Sequence, residues 1–274
     1  MAACEVLIAW PARVKKEVLL KMKSLRMFQS LSAGVDALDF QALPPGVKVF
    51  SNAGAYSGPV GEHAWGLILG AAKGIYSRKV RVVPRRLAGG TLLVVGSGAI
   101  GSEVARLSKS IGMRTIGVSR SFPFPQFFDE TFGTDDLRQV LGRADAVLIS
   151  LPHSASTDGM FTYELLSLAK PNVIVANVGR GELVSEEGLL RWLKERPESR
   201  YATDVFWWKD GKESFETPAW DLPNFAGTLH ISGLPLGESL EVPRLQAAKN
   251  VKAFLNTGNA KNQIDVKEYL SLKS

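Results

Sequence analysis

Short runs of β-branched and apolar residues alternate along this chain with longer stretches whose apolar positions recur at helical spacing. The short runs are residues 5–9, 27–30, 47–50, 91–95, 114–118, 146–150, 173–176 and 201–205. Strands separated by helices are the signature of parallel α/β architecture. Within 147–150 and 173–176 the apolar residues follow one another without polar alternation, which predicts strands covered by helices on both faces. A helix is predicted over 58–77, with Trp65, Ile68, Leu69 and Ala72 on one stripe. The basic, proline-bearing stretch 78–86 then reads as a domain connection. A second long helix is predicted over 242–256, with Leu245, Ala248, Val251, Phe254 and Leu255 as its apolar face and Gly258 at its stop. It would carry the chain back to the first domain.

The chain has 274 residues, enough for two medium domains with substantial cores. Its single cysteine, Cys4, permits no internal disulfide, and no basic segment precedes the first apolar run, so a cytoplasmic protein is expected. The longest apolar-rich stretch, 64–72, is far short of the roughly 20 residues that span a bilayer, so no membrane partner is expected. A formal charge of +6 is spread thinly, without the dense basic cluster or motif of a nucleic-acid binder. It suits a phosphate-rich cofactor or a small anionic substrate.

One loop carries specific chemistry. The run 91–95 leads into Gly96-Ser97-Gly98-Ala99-Ile100-Gly101, then a helical pattern, then the run 114–118. Gly96 permits the tight turn, Gly98 lets backbone approach a pyrophosphate, and Gly101 permits close packing of helix on strand. The helix N-terminus supplies free N–H groups to the anion. A dinucleotide cofactor is therefore expected. An acidic residue ends the second strand in NAD-selective versions, accepting hydrogen bonds from the adenosine ribose. Here Ser119-Arg120-Ser121 stands at that place, Ser119 being 18 residues beyond Gly101. The absence of a carboxylate and the presence of Arg120 predict NADP(H) over NAD(H), with NAD(H) as the alternative.

Seven segments in this order are similar to those of the D-isomer-specific 2-hydroxyacid dehydrogenases, a family that includes glyoxylate/hydroxypyruvate reductases and D-lactate dehydrogenases. They are 30–36, Asn52-Ala53-Gly54 with Glu62-His63-Ala64, the phosphate loop, Leu151-Pro152-His153, Asn177-Val178-Gly179-Arg180-Gly181, Asp204-Val205-Phe206 and Leu229-His230-Ile231-Ser232-Gly233. The resemblance implies a Rossmann-type doubly wound parallel sheet, here 68–240, and a smaller, discontinuous, flavodoxin-like α/β substrate domain, here 1–67 with 241–274. Cofactor and a small 2-keto acid would meet in the cleft between them, in a homodimer. Only four residues precede the first strand, where the family commonly has a further βα unit. The substrate domain is thus shorter than usual, or its beginning is missing from this chain.

The resemblance also implies roles. Reduction of a 2-keto acid needs a cation to hold the carboxylate and polarise the carbonyl, a hydride donor, and an acid for the oxygen. Arg180 has the planar fork that grips a carboxylate, and His230 has a reference pKa near 6.5 suited to proton transfer. A glutamate usually follows the Asp-Val-Phe segment and partners the histidine. Lys209 stands at the gapless position instead, which leaves Asp210 as the first candidate partner and Glu213 as the second. Ser32-Ala33-Gly34 resembles the loop whose amides meet the substrate carboxylate, with Tyr56 approaching the substrate. Leu151, Pro152, His153 and Ser154, with Asn177, Val178 and Gly179, lie where the family's chain passes the cofactor. Asp204 matches a residue near the nicotinamide amide, and Ser232 with Gly233 the wall beside that ring. Trp207-Trp208 would close the substrate pocket, pack in the core or contact a second subunit. No metal is expected: Glu62-His63 lacks any accompanying ligand motif. Within the family D-lactate dehydrogenase is the nearest rival assignment, and a dinucleotide-sensing, corepressor-like binding protein is the alternative outside catalysis.

Overall fold

The computed structural model describes residues 3–76, 82–233 and 241–271, and within it the chain forms two compact units. The smaller comprises 3–56, 154–156 and 241–271 of the described residues. Its strands β1 (Val6–Ala9), β2 (Met27–Ser30) and β3 (Lys48–Phe50) form a parallel sheet in the order β1-β2-β3, with the single-turn helix α1 (Lys16–Leu19) between the first two. Val6 stands opposite Met27, and Met27 opposite Lys48. Leu19, Phe28, Val35, Leu38 and Val49 fill the core, closed by Phe40 stacked on Tyr269 at 4.9 Å.

The C-terminal helix, Glu241–Thr257, packs on this sheet through a face that shares Phe254 and the partly buried Val251 with the expected one but is rotated away from the rest of it. Pro243, Ala247, Asn250 and Phe254 are buried, whereas Leu245 and Leu255 are 55% and 61% exposed. Asn250 turns inward because its amide donates to Gln29 Oε1 and to the Lys261 carbonyl, both at 3.0 Å. A hydrophobic stripe cannot register a buried amide pair, and the helix is rotated accordingly.

The larger unit opens on α2 (Ser57–Lys73) and continues through β4 (Thr91–Val95), α3 (Ala99–Ser110), β5 (Arg114–Val118), β6 (Glu130–Phe132), α4 (Leu137–Val140), β7 (Ala146–Ile149), α5 (Tyr163–Leu166), β8 (Ile174–Asn177), α6 (Glu186–Glu195), β9 (Arg200–Thr203), the short strands β10 (Trp208–Lys209) and β11 (Lys212–Glu213), and β12 (Phe225–Gly227). Seven of its strands form one parallel sheet in the order β12-β9-β8-β7-β4-β5-β6. This is the doubly wound Rossmann-type order, with its reversal at β4 and β7. Leu93, Val95, Ile116, Val147 and Val175 face Leu165, Leu166, Leu189 and Trp192 of α5 and α6, while the alternate residues Leu92, Val94 and Leu148 are equally buried. Both faces of the central strands are covered, as their unbroken apolar runs predict.

The division between units falls between Tyr56 and Ser57, not at 67/68, because α2 stays whole with the sheet it covers: it packs on α3, β8 and β9. The helix ends at Lys73 rather than at 77. Gly74 takes φ +68°, and the Ile75 N–H reaches back to the Gly70 carbonyl at 2.9 Å, a left-handed cap of the Schellman kind. Residues 78–81 of the expected connection and the expected boundary at 240/241 lie outside the described residues. From Val82 onward the connection is held by arginines at the N-terminal edge of the sheet: Arg85 donates to the Asn172 and Glu198 carbonyls, and Arg200 to those of Ala71, Ala72 and Val83. No helix among the described residues is long and apolar enough to cross a membrane.

Candidate active site

Every chemically distinctive segment of the larger unit lies at the C-terminal edge of its sheet. The phosphate loop follows β4, and geometry requires two of its three glycines. Gly96 has φ +101°, and a Cβ there would sit 2.7 Å from the Ser150 carbonyl oxygen; one on Gly101 would lie 2.1 Å from the Gly96 oxygen. Gly98 differs: nothing lies within 4 Å of the position its Cβ would take, and it caps α3 with no side chain over the helix end. The first-turn amides of Ala99 and Ile100 have no partner within the helix, and the open position beside Gly98 leaves room for backbone to approach a ligand, a cradle that fits a pyrophosphate. At the end of β5, Ser119 donates its N–H to Phe132 O at 3.1 Å, Ser121 O accepts the Ser97 hydroxyl at 2.7 Å, and the exposed Arg120 stands between them.

After β7, Leu151 and Pro152 lead to His153, whose Nε2 pairs with Asp158 at 2.8 Å. Ser154 groups with the smaller unit, and its hydroxyl meets that of Ser156 at 3.1 Å.

Arg180 follows β8 in a turn built by Asn177. The Asn177 oxygen accepts from Gly179 N at 3.0 Å, and its amide donates to Arg180 O at 2.8 Å and to the Tyr201 hydroxyl at 3.1 Å. Asn177 is thus committed within the turn. Tyr201 is wholly buried, and that burial pushes its phenol pKa up, keeping it a neutral hydroxyl. Glycines flank Arg180 because both neighbours touch backbone: a Cβ on Gly179 would lie 2.5 Å from Leu151 O, and one on Gly181 2.2 Å from the Phe206 carbonyl carbon. The guanidinium Nη1 donates to Gly179 O at 2.8 Å.

Asp204, after β9, has no exposed surface and organises the segment after β12. Its Oδ1 accepts from the Thr228 hydroxyl at 2.6 Å and Ile231 N at 3.0 Å, and its Oδ2 from Ser232 N at 2.9 Å. These bonds hold the turn in which His230 takes φ +52°, a left-handed conformation unusual for a residue other than glycine. Asp204 thereby presents the histidine. Ser232 is held through its backbone, and the description ends with Gly233.

The partner of His230 is Glu213. Its Oε2 lies 2.6 Å from His230 Nδ1, and its Oε1 accepts the Phe206 N–H at 2.8 Å. An ionised carboxylate only accepts, so Nδ1 carries a proton and Nε2 is the atom left for chemistry. Asp210, the first candidate, is displaced by hairpin geometry. Asp210 and Gly211 have φ +54° and +77° and form the two-residue turn joining β10 to β11, in which Trp208 pairs with Glu213 and Lys209 with Lys212. A turn residue points outward, and Asp210 is exposed. The extra residues after Phe206 are thus a hairpin that folds Glu213 back under the histidine. Asp-Gly between such residues is a strong short-range hairpin signal.

Sequence reasoning gave no site role to two further members. His63 Nε2, on α2, meets the Thr228 hydroxyl at 2.8 Å and lies 3.7 Å from Asp204. Glu182 Oε1 accepts Trp208 N at 2.7 Å, tying the hairpin to the Arg180 turn. The tryptophans divide: Trp207 is buried with its indole N–H on Val184 O at 2.7 Å, and Trp208 is 43% exposed.

In the smaller unit, the turn after β2 is clamped from behind. Leu31 O accepts both the Tyr56 hydroxyl at 2.7 Å and Asn52 Nδ2 at 3.1 Å, and Ser32 N donates to Ser30 Oγ at 3.0 Å. No hydrogen bond among the described residues uses the N–H of Ala33 or Gly34. The Tyr56 hydroxyl thus supports the turn that carries these two amides. Among the described residues no group of three potential ligands could hold a metal ion.

The family model for the NAD-binding domain of D-isomer specific 2-hydroxyacid dehydrogenases matches residues 61–232. The chain belongs to this family. The dehydrogenase is 30% identical to D-3-phosphoglycerate dehydrogenase of Methanocaldococcus jannaschii over 93% of this chain, spanning 50% of that longer protein. It is 28% identical to glyoxylate reductase of Pyrococcus furiosus, covering 88% of this chain and 76% of that one. Among solved structures, a D-isomer specific 2-hydroxyacid dehydrogenase family protein from Aeromonas salmonicida superposes with a TM-score of 0.79 at 29% identity, over 96% of this chain and 86% of that one.

Proposed function

We propose that this dehydrogenase reduces small 2-keto acids with NADPH, glyoxylate and hydroxypyruvate being the leading substrates and a D-2-hydroxy acid the product where a stereocentre forms. The observation that carries the reading is the imidazole–carboxylate pair of His230 and Glu213, presented by Asp204 one strand away from the Arg180 turn. A reduced dinucleotide held at the phosphate loop would supply the hydride. Arg180 grips the carboxylate and polarises the adjacent carbonyl, a role that suits its bidentate fork. His230 delivers the Nε2 proton to the carbonyl oxygen as the hydride reaches carbon, which leaves a hydroxyl and a neutral imidazole. Glu213 holds Nδ1–H throughout, so the charged ring keeps a counter-charge before transfer and a fixed tautomer after it. The half-exposed histidine then regains its proton from water.

The preference for NADPH rests on Ser119-Arg120-Ser121 at the end of β5, where a cation replaces the ribose-binding carboxylate. The same reading expects a homodimer in the cytoplasm, in keeping with the family. The test is a panel of glyoxylate, hydroxypyruvate, pyruvate and larger 2-keto acids, each assayed with NADPH and NADH. Highest kcat/KM for the two small substrates with NADPH is the expected result. Preference for NADH, or for a larger keto acid, overturns the corresponding half.

A further inference from the structure

We propose that Ser97 is the positioning residue for cofactor selectivity: its buried hydroxyl fastens the 119–121 turn to the phosphate loop and thereby holds Arg120 ready for a 2′-phosphate. The inference rests on the NADP(H) reading above and adds the residue that presents the cation. The middle position of a Gly-x-Gly turn needs no particular side chain for the turn itself. Here it carries a hydroxyl with no exposed surface, donating at 2.7 Å to the carbonyl of Ser121, 24 residues away in the connection from β5 to β6.

The base of this bond is fixed. Ser150 Oγ donates to Gly96 O at 2.8 Å and Ser102 Oγ to Ser97 O at 3.0 Å, so the carbonyls before and after the Ser97 side chain are held from the end of β7 and from α3. The far end is fixed on its other side too, since Ser119 N donates to Phe132 O on β6 at 3.1 Å. Arg120 is therefore bracketed by two anchored residues, one tied to the sheet edge and one to the phosphate loop. A cation on an anchored turn loses less conformational freedom when it binds an anion than one on a loose turn, and the difference appears as affinity. Only a cofactor bearing a 2′-phosphate draws on that advantage. Removing the hydroxyl also strips Ser121 O of its donor, so the turn loses its tie to the phosphate loop and keeps only its anchor at Ser119.

The experiment is a double-mutant cycle: wild type, Ser97→Ala, Arg120→Ala and the double variant, each titrated with NADPH and with NADH by nicotinamide fluorescence. Ser97→Ala is expected to weaken NADPH binding about fivefold more than NADH binding. In the Arg120→Ala background the same change is expected to alter the NADPH/NADH ratio by less than about twofold, because the residue it acts through is gone. Equal weakening of both dinucleotides, or an undiminished effect without Arg120, overturns the inference and leaves Ser97 as support for the phosphate loop alone. Wild type that discriminates while Ser97→Ala discriminates equally well overturns the inference only. Wild type that does not favour NADPH overturns the cofactor reading, and the inference with it. Should Ser97→Ala fail to accumulate folded, Ser97→Cys, similar in size and a weaker donor, is read in the same cycle.

Discussion

Replacing Glu213 by Gln keeps the length of the side chain and removes the charge facing His230. The carboxylate accepts two bonds at once, from His230 Nδ1 at 2.6 Å and Phe206 N at 2.8 Å. A glutamine has one acceptor oxygen for these two donors. If it stays on Phe206 N, the new NH2 group opposes Nδ1–H, which disfavours the ring protonated on both nitrogens. A hydrogen bond to a charged group contributes about 1.5–3 kcal/mol. The His230 side chain is 42% exposed, so water recovers part of this, and the lower end of the range, about 1.5–2 kcal/mol, applies. Glu213→Gln should therefore lower kcat/KM for keto-acid reduction about 10- to 30-fold. The assay is NADPH oxidation followed at saturating cofactor for Glu213→Gln beside Asp210→Asn. Asp210 occupies the exposed hairpin turn, and its variant should stay within about twofold of wild type. A Glu213→Gln enzyme within about threefold of wild type, or an Asp210→Asn enzyme equally impaired, would refute the reasoning.

Other outcomes follow from the same geometry. Arg180→Ala should lower kcat/KM by about 10²- to 10³-fold, the scale for losing a preorganised donor, and steady-state kinetics with glyoxylate checks it. Asp204→Asn leaves too few acceptors for Thr228, Ile231 and Ser232, so it should lower both Tm and kcat/KM, the latter by about 5- to 150-fold for about 1–3 kcal/mol. Gly181→Ala puts a methyl 2.2 Å from the Phe206 carbonyl carbon. Backbone cannot rotate away as a side chain can, so thermal unfolding should show a loss of about 1–3 kcal/mol, near 2–4 °C for each kcal/mol.

The central sheet was legible in the chain because its strands are buried on both faces: runs at 91–95 and 114–118 coincide with β4 and β5. The edges were not. β6 carries Glu130-Thr131-Phe132 and β12 carries Phe225-Ala226-Gly227, three-residue strands whose pairing comes from the neighbouring strand rather than from any pattern of their own. The same division holds at the site. Arg180 and the phosphate loop stand on turns that short motifs dictate. The partner of His230 stands on a hairpin, and linear distance from Phe206 favoured Asp210 until the turn reversed the chain and brought Glu213 home. His63, named in the sequence only within a family segment and against a metal role, was given no place in the site for a related reason, since its hydroxyl partner lies 165 residues away.

Single-turnover reduction of hydroxypyruvate by enzyme loaded with NADPH, compared between wild type and His230→Gln, tests the proposed proton transfer most directly. A positioned general acid contributes about 10²- to 10⁴-fold, so the variant should bind cofactor and turn over slower by that factor. A rate within about threefold of wild type would mean that the proton comes from elsewhere, and the account of the site would be wrong.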